Sequence, residues 1–375
     1  MGSFAYLPLE RVVFGQPAAQ AAAEEAARIG ARKVFIVSSK SLSRKTAAIR
    51  EIQQALGGRY AGLFDECIAH TPWPSVIAAA QAVRAAQPDL ILTVGGGTPI
   101  DTVKILQICL AHGLTRIEDL DTQRASTKPS PVRQVAIPTT LSGAEFSNLG
   151  GGTDLRTRIK HSFTGADIGP RSVILDPAIT LHTPEWLWLS TGIRGVDHAV
   201  EALCSVDAHP YCDGLALHAL RLFAEGLPRT KAAPQDLAAR LSCQQASWLA
   251  ASTIARVNYG ASHGIGHALG AAADVPHGLT SCIMLPHVMR YNEPATAAKQ
   301  KLIAKALGQA QKSAAEAVAA LVRALGQPST LREAGVKREQ LPGIAAASMK
   351  NRWVLSNPQP LRSEADVLRL LEAAW

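Results

Sequence analysis

Short apolar runs alternate with amphipathic stretches through the first half of the chain. Residues 34–38 (VFIVS), 60–64, 90–94 (LILTV), 132–137 and 173–175 read as strands, the run at 90–94 as a fully buried one. Between them, residues 42–55 carry a helical pattern, and Pro-Trp-Pro at 72–74 opens a helix that runs to Ala86. Strands separated by helices predict a doubly wound, parallel α/β sheet of the dinucleotide-binding kind. From about Ile179 the texture changes to Ala- and Leu-rich segments of helical period, at 191–203, 214–223, 236–250, 295–307, 313–325 and 363–373. The second half is therefore expected to be all-helical, with a boundary near Asp176-Pro177 that gives domains 1–177 and 178–375.

Length supports the division, because a chain of 375 residues exceeds the roughly 250–300 residues at which single cores stop growing. Hydrophobic residues make up 47% and charged ones 18%, the composition of a globular enzyme. No apolar run approaches the roughly 20 residues that cross a bilayer. The first residues, MGSFAYLPLERVVFG, lack the charged and apolar regions of a signal peptide, so a cytoplasmic protein with no membrane association is expected. Six cysteines without a CxxC pair read as free thiols. The net charge of +8 suits an anionic ligand, but the basic residues are dispersed and only 5% of residues are aromatic, which argues against nucleic acid.

Chemistry concentrates in four stretches. Residues 260–277, GASHGIGHALGAAADVPH, hold His263, His267 and His277. His263 and His267 lie one helical turn apart on one face, and His277 returns at what reads as a helix end. Such a trio can hold a metal, relay protons or bind an anion. After the strand at 90–94 comes GGGTPIDTVK, in which Gly95, Gly96 and Gly97 let backbone approach a ligand. Thr98, Asp101 and Lys104 follow at the start of a helix whose exposed N–H groups favour an anion such as a pyrophosphate. In IPTTLSGAEFSN, residues 137–148, the hydroxyls of Thr139, Thr140 and Ser142 are candidates to hydrogen-bond phosphate or a nicotinamide ring. Residues 191–205 set Arg194 and His198 on one helical face, while Asp197 and Glu201 pair on the neighbouring face and read as solvated or capping carboxylates.

Together these segments resemble the iron-containing (group III) alcohol dehydrogenase family. GGGTPIDTVK is similar to its GGGSxxDxxK loop, PTTLSGAEFSN to its PTTxGTGSE segment, GVDHAVEA to its THAIEA helix, and HGIGHALGAAADVPHG to its HxxxHxxGxxxxxPHG signature. Lys160 resembles the lysine that follows the PTT segment and reaches the cofactor. The resemblance implies an NAD(H)- or NADP(H)-dependent oxidoreductase, assembled as a homodimer and acting on a small molecule. It places the family's metal ligands at positions 194, 198, 263 and 277, where this chain has Arg194, His198, His263 and His277. An arginine thus replaces the ligand aspartate.

A guanidinium 4 Å from a dication costs on the order of 8 kcal/mol at an effective dielectric of 20, so divalent metal is not expected. If one binds, His198, His263 and His277 are its ligands. The change is similar to the maleylacetate reductase branch, as is His-Thr-Pro at 70–72, although that branch usually carries Asn at the altered position. Arg194 is then expected to stabilise an oxyanion or a substrate carboxylate, and His267 to relay a proton, with His198, His263 and His277 around them. The alternatives are a metal-dependent alcohol dehydrogenase or aldehyde reductase, a lyase of the dehydroquinate synthase type, and a non-catalytic dinucleotide-binding homologue. NAD-selective members of the family carry an Asp at about the place of Ser39. Ser38, Ser39, Lys40, Ser41 and Arg44 offer no carboxylate against a 2′-phosphate, so use of both NADH and NADPH, within roughly tenfold, is expected.

Overall fold

The computed structural model of the protein describes residues 5–157 and 159–375. It divides into two compact units, Met1–Thr183 and Pro184–Trp375.

The first unit is built on strands β1 (Arg11–Phe14), β2 (Val34–Val37), β3 (Tyr60–Phe64), β4 (Leu90–Gly95), β5 (Ala125–Ser126), β6 (Arg133–Pro138), β7 (Leu149–Asp154), β8 (Ile159–Gly165) and β9 (Ser172–Leu175). Its helices are α1 (Ala18–Ile29), α2 (Lys40–Lys45), α3 (Ala48–Leu56), α4 (Trp73–Ala86) and α5 (Gly97–His112). Six strands form a parallel sheet in the order β1-β9-β6-β4-β2-β3. Alternation along β2 explains why both faces are covered: Val34 and Ile36 join α1 and α3 in one apolar cluster. Phe35 and Val37 join α4 and α5 in the other. Strands buried on both sides carry no polar period, which is why 34–37 and 90–94 read as unbroken apolar runs.

Two expectations change. The helix read over 42–55 is broken, because Thr46 is extended (φ −134°, ψ 168°) and separates α2 from α3. Its hydroxyl donates to Leu42 O and accepts from Ala48 N, the local bonding by which Thr competes with a continuing helix. A second sheet, β5-β8-β7, is also present, with β7 and β8 an antiparallel pair. Glycines concealed β7 in the sequence, since three of the six residues of LGGGTD are glycines and Thr153 alone is β-branched. Contact requires those glycines: a Cβ on Gly152 would lie 2.7 Å from Ile105, and one on Gly151 would lie 2.3 Å from Lys160 Cε.

The second unit contains α6 (Glu185–Cys204), α7 (Pro210–Ala232), α8 (Leu237–Ala251), α9 (Ala261–Ala273), α10 (His277–Ala306), α11 (Ala314–Ala324), α12 (Leu341–Ser348), α13 (Arg352–Leu355) and α14 (Glu364–Ala374). Every residue of α6 from Trp188 to Cys204 is buried, so this helix has no solvated face along that length. Close approach requires small residues here too. A Cβ on Gly278 would lie 2.7 Å from Ser190 Oγ. His277 does not end a helix, as the sequence suggested, but begins one. Asp274 closes α9 in the left-handed region (φ 55°) and Pro276 leads into α10. Among the described residues no helix is long and apolar enough to cross a membrane.

Packing around α6 yields a paired prediction. Gly195 faces Phe223, whose ring would lie 2.4 Å from an added Cβ, whereas nothing lies within 4 Å of one on exposed Gly214 in α7. In urea denaturation, Gly195→Ala should lower stability by about 1–3 kcal/mol through overpacking. Gly214→Ala should raise it by roughly 0.5–1 kcal/mol, the helix propensity difference. Equal effects of the two substitutions would contradict this packing.

Candidate active site

In the first unit, β4 delivers Gly95, Gly96 and Gly97 to the N-terminus of α5, which has no side-chain cap. Gly95 has φ +149°, and a Cβ there would meet Pro99 at 2.9 Å. On Gly96 a Cβ would lie 2.9 Å from Thr140 Cγ2, and on Gly97 3.2 Å from Ser142 Oγ. The glycine turn and the PTT segment thus lie against each other, with Thr140 Oγ1 and Ser142 Oγ 3.0 Å apart and Thr139 N donating to Gly95 O. Gly96, Gly97, Thr98 and Ser142 stay partly exposed, while Thr139 and Thr140 are buried. Uncapped helix N–H groups beside partly exposed glycines form a surface suited to a pyrophosphate.

Asp101 accepts a hydrogen bond from Gly151 N through Oδ2. The side chain of Lys160 crosses the same glycine, with Nζ 3.0 Å from the position of its absent Cβ. Lys104 does not face this surface. It is wholly buried, and Nζ donates to Ala144 O, Ser147 Oγ and Leu149 O at 2.5, 3.1 and 2.8 Å, which fastens the backbone behind the cradle. Burial pulls its pKa down despite Asp101 and Glu145. Burial also pushes the Glu145 carboxyl up to about 7, against Lys104, and Glu145 Oε2 has no hydrogen-bond partner. Ser39, just after β2, is partly exposed, and its hydroxyl lies 3.1 Å from Ser41 Oγ.

The loop after β2 is not free of carboxylates, as its own residues suggested, because the end of β3 brings Asp65 and Glu66 to it. Glu66 Oε1 is 2.9 Å from Lys40 Nζ. Asp65 takes Arg44 in two bonds of 2.8 and 3.1 Å and also accepts from Ser43 Oγ.

In the second unit, α6 carries Arg194, Asp197, His198 and Glu201, and all four are buried. Of the two roles expected for Asp197 and Glu201, solvation fails because α6 is enclosed on every side, whereas Glu201 does cap, at the start of α9. Glu201 accepts from the backbone N–H groups of Gly260, Ser262 and His263 at 3.0, 2.8 and 3.3 Å. His263 Nδ1 is 2.7 Å from the same carboxylate. Asp197 Oδ2 accepts from Ser262 Oγ at 2.8 Å and Ser281 Oγ at 2.6 Å. Arg194 Nη1 donates to Ser281 Oγ at 3.0 Å and lies 3.7 Å from Asp197 Oδ2. It also lies 3.8 Å from where a Cβ on Gly266 would be, so the guanidinium sits against α9 at Gly266.

His198 and His263 stack at 4.8 Å beside Tyr259. Burial, then the neighbouring His263 and Arg194, push the His198 pKa well below its ordinary value, so its imidazole is neutral. Burial alone would raise the Asp197 carboxyl, but His263, Arg194 and the Ser281 hydroxyl together hold it low. His267 and His277 form a second, partly exposed pair, their rings 5.6 Å apart. Trp353 bridges the pairs, 5.7 Å from His263 and 5.0 Å from His267. Tyr259, Ser262, Ser281, Asn351 and Trp353 carried no motif, and none was expected here.

Among the described residues the ligand-capable atoms of His198, His263 and His277 do not gather into a metal-sized group. Those of Asp197, Glu201 and His263 do, within 4.8 Å of one another. This second trio fits a dication poorly. Both Glu201 oxygens and Asp197 Oδ2 already accept N–H or hydroxyl donors, leaving Asp197 Oδ1 alone without a hydrogen bond, His263 Nδ1 faces Glu201, and a guanidinium stands 3.7 Å from Asp197.

Residues 9–177 match the family model for iron-containing alcohol dehydrogenase, and residues 188–375 match that for the C-terminal part of the Fe-containing alcohol dehydrogenase family. The chain is 35% identical to dehydrogenase ALT3 of Alternaria alternata, over 91% of this chain and 99% of that protein. It is 29% identical to maleylacetate reductase 1 of Cupriavidus pinatubonensis, over 95% and 92%. The crystal structure of maleylacetate reductase from Agrobacterium tumefaciens superposes with a TM-score of 0.84 at 28% identity, covering 100% of this chain and 99% of that one.

Glu145 supplies a pH test. Its folded pKa lies above the ordinary value of 4.5, so the stability tied to its protonated form is present below that value and lost as pH rises through about 7. Glu145→Gln should therefore gain in melting temperature relative to wild type as pH is raised from about 5.5 to 8.5. A difference that stays constant over this range would refute the shift.

Proposed function

Since the chain belongs to the iron-containing alcohol dehydrogenase family and is an oxidoreductase, we propose that it reduces a small carbonyl compound or conjugated oxo acid with NAD(P)H, in the manner of a maleylacetate reductase and without a metal. One observation carries this reading. Where the family resemblance puts a ligand carboxylate, this chain buries the Arg194 guanidinium and ties it to Ser281 and Asp197.

Held at the glycine turn by Gly96, Gly97 and Thr98, a dinucleotide would supply a hydride to the substrate carbon. Negative charge then develops on the carbonyl oxygen, and Arg194, permanently cationic and held in place, stabilises it or clamps a carboxylate of the substrate. His267 gives the proton. Asn351 Oδ1 accepts from Trp353 N, which turns its amide nitrogen towards His267 Nδ1 at 3.2 Å. That nitrogen of a neutral imidazole is then the acceptor, and the transferable hydrogen sits on Nε2. His198, neutral and buried, keeps a second cation out of the pocket beside Arg194.

A second reading, a metal-dependent alcohol dehydrogenase, would have to use the grouping of Asp197, Glu201 and His263 despite its poor fit, and metal analysis separates the two. Purified protein should lack stoichiometric iron or zinc and keep turnover of oxo acids in chelator. Stoichiometric metal with complete loss of turnover on chelation overturns the proposal.

Arg194→Ala should lower turnover of an acidic substrate by at least roughly tenfold, since a hydrogen bond to a charged group contributes about 1.5–3 kcal/mol. Unchanged kinetics in a variant that stays folded would remove Arg194 from the site. Arg194→Asp should raise affinity for divalent metal, measured by calorimetric titration, because it restores a carboxylate and removes the repelling charge.

A further inference from the structure

Dinucleotide-binding sheets read the adenosine ribose at the end of the strand beside the glycine turn. In this sheet β2 is the neighbour of β4, and Ser38 Oγ donates to Val94 O at 2.8 Å, joining the end of β2 to the residue before Gly95. The position after β2 that can carry a selecting acid is Ser39. The charged groups around it come instead from two strands. Lys40 and Arg44 follow β2, Asp65 and Glu66 follow β3, and a backbone bridge pairs Ser39 with Glu66.

These four side chains sum to zero charge and pair with one another: Lys40 with Glu66, and Arg44 with Asp65 in a two-bond fork. Arg44 Nη2 also lies 3.8 Å from Glu66 Oε1. A ribose 2′-hydroxyl adds no charge to this cluster and can donate to a carboxylate. A 2′-phosphate would bring nearly two negative charges to a cluster whose two cations are already paired, and it would have to draw Lys40 or Arg44 from a carboxylate that then faces the phosphate. The Lys40–Glu66 pair is more than half exposed, so its own strength is small. The discrimination comes from the carboxylate charge near the phosphate, and it should weaken as salt screens it.

We infer that Glu66, with Asp65 beside it, selects NADH over NADPH, the acid that other dinucleotide folds place at the end of the second strand being supplied here from the third. This rests on the dinucleotide reading of the first unit and replaces the dual use expected from the loop after β2 alone.

Titration of the full chain with NADH and NADPH, followed by cofactor fluorescence at low and high salt, tests the inference. Wild type should bind NADH at least tenfold more tightly than NADPH, with the ratio shrinking in high salt. In Glu66→Gln the ratio should fall at least fivefold, and in the double variant with Asp65→Asn it should approach or pass parity. Glu51→Gln removes an exposed carboxylate of α3 outside the cluster and should leave the ratio as in wild type. Because Glu66 is exposed, the single variant decides the matter even if the double variant does not fold. Equal wild-type affinities, or a ratio that Glu66→Gln does not move, overturns the selector while leaving the dinucleotide site standing. Absence of binding by either cofactor overturns the dinucleotide reading and the selector with it.

Discussion

A buried carboxylate, Glu201, holds the second unit's chemistry in register. Burying an isolated charge costs several kcal/mol, and here the cost is offset by three backbone N–H groups at the start of α9 and by His263 Nδ1. Bonds of this kind are charge-assisted, and the N-terminus of a helix favours negative charge. The contact sets where α9 begins relative to α6, and through that where His263 and His267 stand. One turn earlier, Asp197 repeats the arrangement with hydroxyls of Ser262 and Ser281, tying α10 to the same helix. Two acids on one helix therefore fasten the two helices that carry the histidines.

That fastening creates a charge requirement. Two carboxylates in the interior call for a cation nearby, and Arg194 provides one on the same helix, 3.7 Å from Asp197. At an effective dielectric of 20, an attraction over such a distance is about 4 kcal/mol. A dication can balance the same carboxylates, but it cannot share the space with a fixed guanidinium without comparable repulsion. On the reading proposed above, the residue at position 194 decides between an electrostatic site made of protein groups and one made around a metal.

The first unit solves a different problem, the packing of an uncapped helix N-terminus against a neighbouring loop. Gly95, Gly96 and Gly97 have no room for side chains against Pro99, Thr140 and Ser142. Behind them Lys104 holds the carbonyls of Ala144 and Leu149. A lysine that reads in sequence as a ligand group is used as an internal fastener because α5 points it into the interior rather than to the mouth of the loop.

Local pattern determined a good deal of this protein. Unbroken apolar runs marked β2 and β4 because parallel strands are covered on both faces, and the glycine turn was legible because close backbone approach leaves few other residues possible. The spacing of His263 and His267 placed them on one face because a helix repeats every 3.6 residues. Tertiary structure alone decided what each face meets. A helical period separates Asp197 from His198 by about 100°, but it cannot say that α6 is enclosed all round, so both acids are buried and bonded rather than solvated. Nor can it bring Asp65 and Glu66 to the loop after β2, more than twenty positions earlier in the chain. Periodicity is a property of neighbours along the backbone, whereas burial and charge pairing depend on segments that only folding brings together.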